Sequence, residues 1–145
     1  MEKIRLVCSW ICRIILASTF AYASYVKILH PDLFFMDIRN YQLLPDELSQ
    51  ISAYLLPAFE LCLSITILIP RYSKTSATIM ATLLFIFILA ILSAWFRGLD
   101  ISCGCFGNSD VTGNYISTIL RDILLIVLAI IILLLKKRKS DTLYL

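Results

Sequence analysis

Four stretches of the chain are continuously apolar, at about 6–28, 48–69, 77–96 and 115–135. None carries the alternation of period two that marks a half-buried strand, and each is long enough to cross a hydrocarbon core of roughly 30 Å as a helix. Only helices and closed barrels satisfy every backbone N–H and C=O in lipid, so the pattern predicts an all-α membrane protein, a four-transmembrane-helix bundle. Residues 1–145 read as a single membrane domain, without internal repeat or low-complexity segment. The first stretch invites comparison with a secretory signal, because Lys3 and Arg5 precede it. Arg13 breaks its apolar core, however, and Tyr22, Tyr25 and Lys27 stand where a small-residue cleavage site belongs, so an uncleaved helix is expected.

The connections differ in chemistry. Lys3, Arg5, Arg71, Lys74, Lys136, Lys137, Arg138 and Lys139 fall on one side of the four spans, against Arg39 and Arg97 on the other. This asymmetry predicts that both termini and the turn around Pro70 are cytoplasmic, while the connections at 29–47 and 97–114 face outward from a cytoplasmic (inner) membrane. In the first outer connection Phe34, Phe35, Ile38 and Tyr41 recur at helical spacing among Asp32, Asp37, Arg39 and Asn40, with Pro31 before and Pro45 after. A short interfacial helix is expected there, read first as an amphipathic cover over the outer end of the bundle.

Composition agrees: 60% of residues are hydrophobic and 16% charged, and the mean hydropathy is +0.88. That is more apolar than a soluble core requires. The net charge of +3 does not point to nucleic acid, because the Lys-Lys-Arg-Lys run at 136–139 directly follows an apolar span and reads as a juxtamembrane anchor to the bilayer.

The five cysteines separate by position. Cys8 and Cys12 are one turn apart on the first helix, where Cβ atoms stand about 5–6 Å from each other, too far for a disulfide. Cys62 lies deep in the second span and reads as a small buried hydrophobe. Cys103 and Cys105 stand in Ile101-Ser-Cys-Gly-Cys-Phe-Gly-Asn108, a glycine-rich turn on the outer, oxidising side. A disulfide across one intervening residue closes a tight ring, which Gly104 best tolerates, and a strained bridge is suited to exchange rather than to stapling. A staple gains little from so short a loop. Two thiols and His30, the only histidine, are too few for structural zinc, whereas a two-coordinate soft ion such as Cu(I) fits the Cys-x-Cys spacing.

Ionisable residues within the spans are expensive unless paired or hydrated. At 1.5 Å per residue, Arg13 and Glu60 come roughly 10 and 13 Å from the inner ends of their helices and are expected to meet as a structural pair. Arg121 and Asp122 lie roughly 9–10 Å below the outer end of the last helix. Lys27, near the outer end of the first, is expected to snorkel or to approach Asp122. Proton handling beside a thiol site is the alternative role for this outer group.

The chain resembles the family of the methylamine utilisation protein MauE and its DoxX-like membrane relatives. The residues that carry the likeness are Tyr25-Val-Lys27, Pro31-Asp32 with Phe35, Tyr41-Gln-Leu-Leu-Pro45, Leu56-Pro57, Glu60-Leu61, Cys103-Gly-Cys-Phe-Gly107 and Leu120-Arg121-Asp122. The resemblance implies maturation of disulfide-containing extracytoplasmic proteins beside a thioredoxin-like or other cysteine-containing partner, and, through the DoxX relatives, quinone-connected sulfur redox chemistry. The layout is also similar to the membrane thiol oxidases of the DsbB and vitamin K epoxide reductase types, but this chain lacks a second outward cysteine pair to relay electrons. The expected function is therefore that of a thiol-disulfide oxidoreductase component, with Cys103 and Cys105 reactive, Lys27, Glu60, Arg121 and Asp122 as supporting polar residues, and no bound metal. Arg97 or Arg121 is the expected thiol-activating cation, and Phe106 with Gly107 the expected docking surface. The rival reading is a non-catalytic scaffold, or a copper clip, in which the cysteine loop is structural.

Overall fold

The computed structural model describes the backbone of residues 2–98 and 115–140 and the side chains of 3–98 and 116–135. Among these residues five helices follow in order: α1 (Glu2–Leu29), α2 (Pro31–Asn40), α3 (Asp46–Thr66), α4 (Ser73–Phe96) and α5 (Tyr115–Ser140). All but α2 are long and apolar enough to cross a membrane. The all-α, four-span fold is thus as expected, with α2 the short helix of the first connection.

The helix ends have local causes. Pro31 opens α2, where its missing N–H is not needed and its fixed φ suits the first turn. The second span stops at Thr66, earlier than the hydropathy pattern suggests. There the backbone tightens into i→i+3 bonds, Leu68 N–H to Ile65 O and Ile69 N–H to Thr66 O, before Pro70 removes the next donor. The chain re-enters a helix at Ser73, a turn ahead of the expected start, because polar Ser73, Lys74 and Ser76 complete its first turn. At the far end of α4, Gly98 takes φ +66° and its N–H bonds Trp95 O, a left-handed termination that a Cβ would strain.

Helix α1 packs chiefly on α3 and α4 on α5; contacts between α1 and α5 join the two pairs, and α2 lies against α3. Leu63, late in α3, and Ile67, just beyond its end, share the core with Cys12 and Leu16, early in α1, whereas Ser24 near the end of α1 bonds Pro57 further back in α3. The two helices are therefore antiparallel. The core draws Leu16, Phe20, Leu63, Met80, Leu84, Leu125 and Ile132 from the four long helices. Ala17, Ala53, Ala77, Ala94 and Ala129 are buried among these contacts. Small residues let helices approach closely where lipid supplies no hydrophobic drive for association. Outward stand Val7, Ile11 and Ile14 of α1, Phe85 and Leu89 of α4, and Leu120, Leu124 and Leu134 of α5, an apolar surface matched to acyl chains.

Hydroxyl hydrogen bonds cross between helices: Ser24 Oγ donates to Pro57 O at 2.7 Å and Ser76 Oγ to Thr66 Oγ1 at 2.8 Å. Near the end of the bundle away from the termini, Arg39 and Asp46 bridge α2 to α3 at 3.2 Å in an exposed pair of little energetic weight. The Arg97 guanidinium donates to the Tyr41 carbonyl, tying the end of α4 to the α2–α3 connection.

Candidate functional site

Along α1 the buried residues Ser9, Cys12, Arg13, Leu16, Ala17, Phe20, Ser24 and Lys27 recur every three or four positions, the spacing of one helix face. Lys27 therefore points into the bundle although it lies within a turn of the helix end. Its side chain is 2% exposed. Its Nζ donates to both carboxylate oxygens of Glu60, at 2.7 and 2.9 Å. The ammonium also faces two aromatic rings, Phe34 of α2 at 4.8 Å and Phe87 of α4 at 5.3 Å. A carboxylate with two π-faces compensates a cation far better than lipid does. One lysine thus gathers residues of α2, α3 and α4 around α1.

Opposite stands the α5 pair. Asp122 is buried and accepts from Arg121 Nε at 3.2 Å and from an Arg121 terminal nitrogen at 3.1 Å. Residues adjacent in a helix point in different directions, so the arginine must curl back to reach its neighbour. The two pairs line one cavity of about 40 Å³, together with Thr19, Phe20, Ala23, Leu84, Phe87 and Leu125. By helix rise the cavity lies about 10 Å below the start of α5. The structure therefore brings together all four of the polar residues expected to support the site.

Their pairing differs from expectation in one respect. Glu60 is held by Lys27, not by Arg13. Equal depth required the inner ends of α1 and α3 to be level, but α1 begins at Glu2 and reaches well past the end of α3 at Thr66. Arg13 is consequently about 21 Å along α1 from Lys27, and its guanidinium lies over the Trp10 ring at 5.4 Å. Lys27 reaches Glu60 by extending its stem inward, so its hydrogen bonds go there, while Asp122 stays across the shared cavity.

Cys8, Cys12 and Cys62 are free thiols, with Cys12 buried. Cys62 is exposed on the outside of the bundle, contrary to the expected burial, because it sits two residues beyond the inward-facing Glu60. Cys103, Cys105, Phe106 and Gly107 lie outside the described residues. Among the described residues no cluster of three or more His, Cys, Asp or Glu side chains could hold a metal ion. The cavity has room for about three water molecules, less than a quinone ring occupies. Sequence reasoning missed Ser24, Phe34 and Phe87. The serine is three residues before Lys27, on the same face, and Phe34 heads the apolar stripe of the amphipathic α2, but nothing local marked Phe87 within the uniformly apolar α4.

The family model for methylamine utilisation protein MauE matches residues 5–135. Methylamine utilization protein MauE of Paracoccus denitrificans is 34% identical over 100 residues, covering 68% of this chain and 54% of that protein. The Paracoccus versutus MauE is 36% identical over 100 residues with the same coverage. The Methylorubrum extorquens MauE is 33% identical over 89 residues, 61% of this chain and 48% of its own. This chain spans about half the length of these relatives. No solved structure matches it. Since the family model takes in the four spans and the residues that line their shared polar cavity, the chain belongs to the methylamine utilisation protein MauE family.

Proposed function

We propose that this chain is an integral membrane thiol/disulfide redox factor in which Cys103 and Cys105 exchange with the cysteines of an extracytoplasmic protein. The observation that carries the reading is the Cys103-Gly-Cys105 string in the connection between α4 and α5. That connection leaves the bundle at the end opposite both termini, since four spans return the chain to the face on which it began. The distribution of Lys and Arg favours cytoplasmic termini in the inner membrane, and with them an oxidising environment for the pair. We read residues 1–145 as one such membrane domain. The named relatives are methylamine utilization proteins, and the proposal extends service in that system to this chain.

In the oxidising direction a partner thiolate attacks the Cys103–Cys105 disulfide, forming a mixed disulfide and releasing one chain thiolate. The partner's second thiolate then attacks the mixed disulfide. The partner leaves oxidised, and Cys103 and Cys105 remain as the dithiol, having gained two electrons and two protons. A thioredoxin-like protein in its disulfide form restores the pair by the reverse exchange. A quinone, implied by the DoxX-like resemblance, does not fit this polar cavity, and no step is assigned to it.

Arg97 is committed to the Tyr41 carbonyl and, through Nε, to Ser93 O at 3.3 Å, so it serves the outer end of the bundle as a tie. Lys27 and Glu60 tie α1 to α3, and Arg121 and Asp122 bring α5, the helix that follows the cysteine connection, to the same polar cavity. The test is to mix purified protein with a thioredoxin-like partner in its reduced and then its oxidised form, and to follow Cys103 and Cys105 by alkylation and mass. The pair should follow the partner's redox state in both directions; a state indifferent to the partner would contradict exchange.

A further inference from the structure

Among the described residues, charge balance inside the bundle leaves one cation over. Lys27 is matched by Glu60 and Arg121 by Asp122. Arg13 is 7% exposed, its Nε has no hydrogen-bond partner among the described residues, and no ion pair there includes it. Its guanidinium lies over the Trp10 ring at 5.4 Å. A guanidinium keeps its charge at any physiological pH and has five donors, so a buried one without an acceptor is costly unless an anion is supplied.

Three further observations say where that anion comes from. Ser24 of α1 is level with Pro57 of the antiparallel α3, and Arg13, eleven residues or about 16 Å earlier along α1, is therefore level with the turn that follows the end of α3 at Thr66, near one membrane surface and about 21 Å along α1 from Lys27. Trp10 is 42% exposed, and a half-exposed tryptophan on a membrane helix is at home at the headgroup level. The basic residues of the chain also gather at this end, with Arg71 and Lys74 flanking the α3–α4 turn and Lys136 one turn beyond Ile132. Ser9, buried on the same face as Arg13 and one turn nearer the surface, adds a hydroxyl donor.

We propose that Arg13, with Ser9 and Trp10, forms a seat for the phosphate of an anionic phospholipid in the leaflet at the N-terminal end of α1. Arginine pairs with phosphate oxygens through parallel N–H bonds, which places the lipid phosphate against the guanidinium edge. The indole packs beside it, and the surrounding basic residues raise the local concentration of anionic lipid.

Tryptophan quenching tests this directly. Trp95→Phe, at the opposite end of α4 and exposed, leaves Trp10 as the single tryptophan of the full chain. This protein is reconstituted into vesicles of phosphatidylcholine containing a small equal fraction of either dibrominated phosphatidylglycerol or dibrominated phosphatidylcholine. Brominated phosphatidylglycerol should be enriched at Trp10 by roughly tenfold over brominated phosphatidylcholine, the size expected of one charge-assisted hydrogen-bonded pair. Arg13→Lys should keep part of this excess, and Arg13→Gln should reduce it to parity. Inorganic phosphate added alone should leave the excess unchanged. Equal quenching by the two lipids in the Arg13 protein would overturn the seat without any variant having to fold. Loss of the excess on adding inorganic phosphate would overturn the lipid as the source and assign the seat to the free anion.

Discussion

Glu60→Gln isolates the energetic centre of the bundle. The substitution keeps shape but removes the charge that holds a lysine ammonium whose side chain is 2% exposed. Breaking one half of a buried pair costs about 3–5 kcal/mol, because the surviving charge stays buried. The Phe34 and Phe87 rings remain within 4.8 and 5.3 Å of Nζ, and the glutamine carbonyl still accepts one N–H, which together offset about 1–2 kcal/mol. A net loss of about 1–4 kcal/mol follows, a shift of roughly five-fold to nearly a thousand-fold in the unfolding equilibrium. Adding Lys27→Met should restore most of it, since removing both charges leaves an apolar contact. The assay is denaturant unfolding of the purified protein in detergent for wild type, both single variants and the double, with accumulation in membranes as a second reading. Losses that simply add in the double variant would refute the pairing. Normal stability with lost redox exchange would instead move Glu60 from support into the mechanism.

Ser24→Ala removes the 2.7 Å bond to Pro57 O and should lower stability by about 0.6–1.7 kcal/mol in the same assay, without altering thiol reactivity. A membrane-impermeant maleimide, applied to intact cells after reduction, should modify Cys103 or Cys105; modification only after the inner face is opened would reverse the proposed orientation.

The spans were legible because a helix in lipid must be apolar along its length, and the short α2 because its apolar residues recur at helical spacing between prolines. The end of α3 and the start of α4 were not, since hydropathy continues through Ile67, Leu68 and Ile69 after the helix has tightened and turned, and polar Ser73, Lys74 and Ser76 hide the first turn of α4. The four charged residues of the cavity were recognisable by their cost in lipid, yet Arg13 and Glu60 were paired on equal depth. Depth counted along separate helices says nothing of their relative offset, which the packing of Ser24 on Pro57 sets. Phe87 could not be picked from α4, where nearly every neighbour is as apolar as it is. Cys62 reads as core by hydropathy and proves to face outward, because in a bilayer the outside of a bundle is as apolar as its inside.

The central claim is that Cys103 and Cys105 exchange disulfides with a partner, and trapping tests it most directly. Cys103→Ser and Cys105→Ser should each abolish function, and one of the two should accumulate a mixed disulfide with a partner protein, visible on non-reducing gels and lost on reduction, because the remaining thiol attacks and nothing resolves the adduct. A double serine variant that fully complements a deletion strain would contradict the redox account.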